Sequence, residues 1–181
     1  MLLSLQQRYI LDVLKRLGCV RRNQLYVLAA KNFRQPGQEV KQQHVDAMLN
    51  QLRSWTGEVR LDGDLVCYGR ISPNSERLEA VDVMLELSEG TPLDFRPEQE
   101  SCLLLRFILE SDGKLRMFGV AHYCEDTFCL LPDLPARQTE RIIFLLPDKA
   151  KMPEDLTLPY RHFFALRKKD GTHRFFADGD Q

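Results

Sequence analysis

The sequence predicts an α+β protein in which helices come first and strands follow. Apolar residues recur at spacings of three and four through three segments before residue 56, which is a helical period. After residue 100 they alternate or run in short blocks, as strands do. Between these regions lies ISPNSER, residues 71–77, whose Pro73 and Asn74 mark a linker. The chain has 181 residues, enough for two small domains at about 100 residues each, so we expect one over residues 1–71 and another over 76–181.

In residues 5–17, Leu5, Tyr9, Ile10, Val13, Leu14 and Leu17 share a face, and Gly18 supplies a helix stop. Cys19 and Val20 form a short extended link. A second helix over residues 23–31 carries Leu25, Tyr26, Leu28, Ala29 and Ala30, and Pro36-Gly37 then signals a turn. Val45, Met48, Leu49 and Leu52 line one face of a third helix over residues 40–55, and Lys41, Gln42, Gln43, Asp46, Asn50 and Arg53 line the other. The stretch VRLDGDLVCYGR completes the region. Val59 and Leu61 alternate with polar residues, Asp62-Gly63-Asp64 turns the chain, and residues 65–68 return as a second strand.

Three helices followed by a hairpin is the order of a winged helix, in which the third helix enters the DNA major groove and the hairpin lies beside it. Gln and Asn pair bidentately with adenine, and Lys or Arg reach guanine or phosphate, so Gln42, Gln43, Asn50, Lys41 and Arg53 are candidate duplex contacts. Asp62 and Asp64 have the wrong sign for phosphate, which leaves Arg60 and Arg70 as the hairpin's candidates. Charge points the same way: residues 1–70 hold 11 Lys and Arg against 6 Asp and Glu, whereas the whole chain is at −1. A Gln-rich helix face is equally an ordinary solvated surface, and some winged helices bind proteins.

Beyond the linker, Ser75 is placed to cap a helix over residues 77–87, with Leu78, Val81, Met84 and Leu85 on one face. Strands are expected over residues 101–110, 114–123, 126–131, 141–148, 162–169 and 172–178. Asp112-Gly113 and Asp170-Gly171 are hairpin signals between two pairs of them. The expected object is a mixed sheet covered on one side by the helix.

A winged helix followed by LEAVDVMLEL, DGKLRMFGV and RIIFLLPDKAKMPEDL resembles the replication-relaxation family of plasmid and mobile-element proteins, over most of the chain. The resemblance implies an N-terminal winged helix followed by a domain related to restriction-endonuclease-like folds, with Asp82 at the position of the family's Asp in a LAVND-like helix. Acidic residues are expected in the strand after the DG hairpin. Here RMFGVAHYC puts Val120, Ala121 and His122 there, which implies a degenerate member without nuclease activity.

Chemistry has few other footholds. Asp94 and Asp112-Gly113-Lys114 have the letters of a magnesium-nuclease motif, but a turn tip is the wrong place for a catalytic lysine. His122, Cys124 and Cys129 lack a fourth ligand and CxxC spacing, so no metal site is expected. His44, His122, His162 and His173 show no local link to a nucleophile, and neither a Walker loop nor GxGxxG is present, so no cofactor is expected. Five scattered cysteines, Cys19, Cys67, Cys102, Cys124 and Cys129, read as reduced buried thiols. No apolar run approaches the roughly 20 residues of a membrane span, and the N-terminus lacks a signal-peptide pattern, so a cytoplasmic protein is expected. The leading expectation is a non-enzymatic duplex-DNA-binding accessory of a plasmid or mobile element, its second domain serving dimerisation or a protein partner. A protein-interaction adaptor without DNA and a divergent nuclease are the alternatives.

Overall fold

The computed structural model describes residues 2–34, 40–98, 102–124, 140–147, 158 and 161–177. Its elements run α1 (Leu5–Leu17), β1 (Cys19–Arg21), α2 (Arg22–Asn32), α3 (Gln42–Thr56), β2 (Val59–Asp62), β3 (Leu65–Tyr68), α4 (Ser75–Leu87), β4 (Asp94–Pro97), β5 (Leu103–Ser111), β6 (Lys114–His122), β7 (Glu140–Leu146), β8 (Arg161–Arg167) and β9 (His173–Ala177). Helices dominate the first part of the chain and strands the last, the segregation of an α+β chain. The chain divides into two units, Met1–Val81 and Asp82–Gln181, the division falling inside α4.

In the first unit, α1 has the expected bounds and is closed at both ends. Ser4 Oγ accepts from the Gln7 N–H while Gln7 Oε1 accepts from the Ser4 N–H, a reciprocal capping box. At the other end Gly18 has φ 78° and donates to the Leu14 carbonyl. An added Cβ there would lie 3.1 Å from Ile71, so both space and backbone require glycine. Ile10, Val13, Leu14, Leu17, Leu25, Leu28, Val45, Leu49 and Leu52 form the buried core. Two glutamines are buried with them. Gln7 Nε2 donates to Gln51 Oε1 at 2.8 Å, tying α1 to α3. Gln24 accepts from the Arg21 N–H and donates to the Leu78 carbonyl at 2.7 Å, so each buried amide has partners.

The segment expected as an extended link is a strand. β1 pairs antiparallel with β3, which pairs on its other edge with β2, in the order β1-β3-β2. This pairing corrects the reading of reduced thiols: Cys19 and Cys67 lie in register, Cα atoms 4.0 Å apart, and are joined as a disulfide. Cys102 and Cys124 take no part in this disulfide, and Cys129 lies outside the described residues, as do the Pro36-Gly37 turn and the strand expected over residues 126–131.

In the second unit a six-stranded sheet runs β4-β5-β6-β7-β8-β9. β6, β7 and β8 are mutually parallel and the other pairs antiparallel. β7 is central, and Ile142, Ile143, Phe144, Leu145 and Leu146 are all buried, as a strand covered on both faces must be. One face packs as Leu103, Ala121, Ile142, Phe144, Leu146, Phe164 and Phe176. The Asp112-Gly113 turn has φ of 55° and 68°, positive at both central residues, which is the type I′ pattern that twists with its strands. Asp170-Gly171 also joins two strands, and hydrogen bonds from Thr172 to the Asp170 carboxylate lower its pKa. Helix α4 starts two residues before the expected position, with Asn74 rather than Ser75 accepting the first-turn bond, from the Arg77 N–H. Its Glu86 accepts from the His173 N–H at 2.9 Å and lies 2.8 Å from His173 Nδ1, fixing the start of β9. β4 was not foreseen, because its four residues include Pro97 and Arg96.

Two measurements follow. The disulfide spans 48 residues, and in the chain-entropy account closure of such a loop stabilises by about 4 kcal/mol. Dithiol reduction lowers the urea midpoint of the wild type accordingly, and leaves a Cys19→Ala/Cys67→Ala variant unmoved. Tyr9 packs edge-on against Phe33, and burial pushes its pKa up from 10.0 to about 12. Its folded pKa exceeds the unfolded one, so its contribution is full below pH 10 and is lost as pH rises to about 12. Tyr9→Phe removes that part of the alkaline stability loss in a pH series of melts.

Candidate nucleic-acid interface

Helix α3 begins after Lys41, whose backbone is extended, and ends at Gly57, which has φ 68° and donates to the Arg53 carbonyl. The start lies two residues later than the periodicity suggested. Val45, Leu49 and Leu52 are buried, so the residues half a turn away face outward. Gln43, Ala47, Asn50 and Ser54, at spacings of four, three and four, form that outer stripe, and all are exposed. Gln42 and Arg53 are exposed on one flank of the stripe, at helical spacing from Asp46. Asp46 is engaged by Arg22 at 3.3 Å. On the other flank, Gln51 is held by Gln7.

The hairpin that follows turns on Gly63-Asp64. Asp62 pairs with Leu65, leaving a two-residue loop with φ 57° at Gly63 alone, the first central residue, which is a type II′ feature. Asp62 and Asp64 are exposed, and the Asp64 carbonyl accepts from the Arg22 N–H at 2.8 Å, fastening the loop to the start of α2. Arg60 is exposed but not wholly available: its Nη2 donates to the Ile71 carbonyl at 3.0 Å. A guanidinium has five N–H donors, so others remain for a ligand. Arg70 is exposed in the tight turn after Gly69. Tyr68, at the end of β3, is hydrogen-bonded to Glu58, which raises its pKa, and lies 5.7 Å from Lys15 Nζ.

Of the seven predicted contacts, Gln43 and Asn50 share the outer face, Gln42 and Arg53 adjoin it, and Lys41 precedes the helix. Arg60 and Arg70 belong to the hairpin. Ser54 and Ala47 complete the stripe and were readable from the period once Val45 and Asn50 were opposed. Arg22 was missed, because only tertiary folding brings it to Asp46, 24 residues away.

The second unit holds the acids of the expected nuclease motif. Asp112 sits at the I′ turn with its side chain 83% exposed, 3.3 Å from Arg116 Nη2. Asp94 opens β4 and lines a groove of about 150 Å³ with Arg96, Arg106, Phe107, Ile108 and Met117. Arg96 and Arg106 in turn contact Glu98 at 3.5 and 3.3 Å. Among the described residues no group of three His, Cys, Asp or Glu could hold a metal ion, and no helix is long and apolar enough to cross a membrane.

No protein-family model matches the chain, and neither the curated proteins nor the solved structures give a match.

The II′ turn yields a direct check on the hairpin. Gly63→Val forces a β-branched residue to positive φ and costs about 1–2 kcal/mol, whereas Gly63→Asn costs less; urea unfolding of both variants measures the difference.

Proposed function

We propose that the first unit is a winged helix that docks on duplex DNA through α3, with β2 and β3 as the wing. The observation that carries this is the outward stripe of Gln43, Asn50 and Ser54, flanked by Gln42 and Arg53 and followed by a hairpin bearing Arg60 and Arg70. Amide side chains read adenine edges, hydroxyls read either base, and the cations neutralise phosphates. The order α1-β1-α2-α3-β2-β3 with sheet order β1-β3-β2 supports the same reading.

The resemblance to the replication-relaxation family supplies the context we propose, a non-enzymatic cytoplasmic accessory of a plasmid or mobile element. In that context the second unit is a degenerate nuclease-like domain serving dimerisation or partner binding, and the solvent position of Asp112 argues against cleavage chemistry. The cytoplasm is reducing, so the Cys19–Cys67 pair would there meet a thiol pool that opens disulfides. A second reading, a protein-interaction adaptor, draws on the acids beside the cations: Asp46, Asp62 and Asp64 flank the same surface, and Trp55 on α3 is 47% exposed.

Salt titration separates these readings. Affinity for a labelled random duplex falls steeply with salt, and Lys41→Ala/Arg53→Ala lowers the log–log slope by about 2, roughly 0.9 per phosphate contact. An unchanged slope removes α3 from the interface. Absence of duplex binding at low salt, with a stoichiometric protein partner retained through purification, selects the adaptor.

A further inference from the structure

We propose that the Cys19–Cys67 disulfide is a thiol–disulfide exchange site, opened at Cys19 by a small anionic thiol, and that its opening switches off the docking of the first unit on duplex DNA. The switch deepens the DNA reading given above and rests on it, whereas the exchange site rests on the residues around the bond alone.

The bond closes a loop of 48 residues, and α2, α3, β2 and the hairpin turn all lie inside it. Of the residues proposed to contact DNA, only Arg70 falls outside. The hairpin reaches the helices through β1, an edge strand of three residues that pairs with β3. Besides the disulfide, that join consists of a three-residue ladder, the Tyr68 N–H on the Gly18 carbonyl and the Arg22 N–H on the Asp64 carbonyl. Short edge elements with few hydrogen bonds open locally at low cost. The covalent bond therefore governs how much of the time the wing keeps its place beside α3.

Both cysteines are buried, Cys19 at 4% exposure and Cys67 at 1%, but they are not equally enclosed. Cys19 lines a crevice of about 10 Å³, room for one water, with Leu17, Ile71, Ser72, Asn74 and Arg77. Ile71 and Ser72 are exposed and lie outside every helix and strand, so this wall moves aside without breaking a ladder. Arg77 is half-buried, and its Nε is buried without a hydrogen-bond partner among the described residues. A guanidinium with an unused donor favours an anion, and beside a cysteine that anion is a thiolate.

The exchange runs in two steps. A first external thiolate attacks Cys19 Sγ, forms a mixed disulfide there and expels the Cys67 thiolate, which takes a proton from solvent. A second attacks the outer sulfur of the mixed disulfide, forms the external disulfide and releases the Cys19 thiolate into the crevice that Arg77 lines. The protein bond gains two electrons and two external thiols lose them. An external disulfide drives the reverse sequence and closes the bond again.

Two measurements on the full-length chain test the two parts. The oxidised chain is incubated without denaturant with glutathione, quenched with acid and mapped by mass spectrometry. The first mixed disulfide involving the pair forms on Cys19. Arg77→Gln slows opening by glutathione about threefold more than opening by the cationic thiol cysteamine, a small case of charge steering, and Arg77→Lys restores the wild-type ratio. The exchange site is overturned if the bond opens only in urea, if Cys67 is attacked first, or if Arg77→Gln leaves the ratio of the two rates unchanged. Affinity for a labelled random duplex is then measured at low salt for oxidised wild type, reduced wild type and Cys19→Ala/Cys67→Ala, with thermal melts as the check on folding. Reduction raises Kd about tenfold, as it does when the wing keeps its place one part in ten of the time, and the double-alanine variant binds weakly with or without thiol. Equal Kd in the two folded wild-type forms overturns the switch and leaves the DNA reading standing. Global unfolding on reduction also overturns a switch confined to the hairpin. Absence of duplex binding in the oxidised form removes the DNA reading and the switch together, and the mapping, which needs only the oxidised chain, still decides the exchange site.

Discussion

Strand β3 hydrogen-bonds along both edges, to β1 and to β2, and the first unit is arranged around that double pairing. A two-stranded hairpin of four residues per strand is marginal in water, so β2 and β3 need a third partner. β1 provides it from between α1 and α2, which makes the hairpin part of the helical core. Further ties follow from the same register: the Tyr68 N–H donates to the Gly18 carbonyl at 2.7 Å, the Arg22 N–H donates to Asp64, and Cys19 meets Cys67. Val20 and Val66, paired across the two strands, are fully buried. The orientation of the hairpin relative to α3, on which the proposed DNA contact depends, is thus set by three residues of β1.

In the second unit the equivalent constraint is the parallel run β6-β7-β8. Parallel neighbours need crossovers of a dozen residues or more, and the chain leaves that much between His122 and Glu140 and between Leu146 and Arg161. Such strands are buried on both faces, which is why β7 reads RIIFLL without alternation. Gly119, beside it on β6, has room for no more: an added Cβ would lie 3.0 Å from Leu103 and 3.2 Å from Ile142. Parallel pairing also aligns like ends of strands. Residues at the start of each segment, unrelated in sequence, become neighbours, and three of them are arginines.

Electrostatics in this protein is therefore local rather than global. The net charge of −1 and the basic first part say little about where a polyanion is held. In the first unit, cations of α3 and the hairpin are interleaved with Asp46, Asp62 and Asp64, and two of the nearby arginines are partly engaged, Arg22 by Asp46 and Arg60 by the Ile71 carbonyl. In the second, acidic overall, arginines near the starts of β6, β7 and β8 become neighbours although they are remote in sequence.

Local signals in the sequence determined the helices, the turns and the strands other than β1 and β4. Period and glycine placement gave α1 to the residue, α3 to within two, and the turns at Gly63, Gly113 and Gly171, because each depends only on neighbouring residues and backbone freedom at positive φ. The exposure of Lys41, Gln42, Gln43, Asn50, Arg53, Arg60 and Arg70 was legible for the same reason, since a buried face fixes its opposite. What depended on partners remote in sequence was decided by tertiary structure alone. β1 is too short to carry a strand pattern and exists because β3 has a free edge. Gln7 and Gln24 look like surface amides until Gln51 and the Leu78 carbonyl satisfy them. Two cysteines 48 residues apart read as separate thiols until register joins them. Three arginines on separate strands became neighbours only when β7 settled between β6 and β8, because strand order is set by burying apolar faces and not by the charges those faces carry outward.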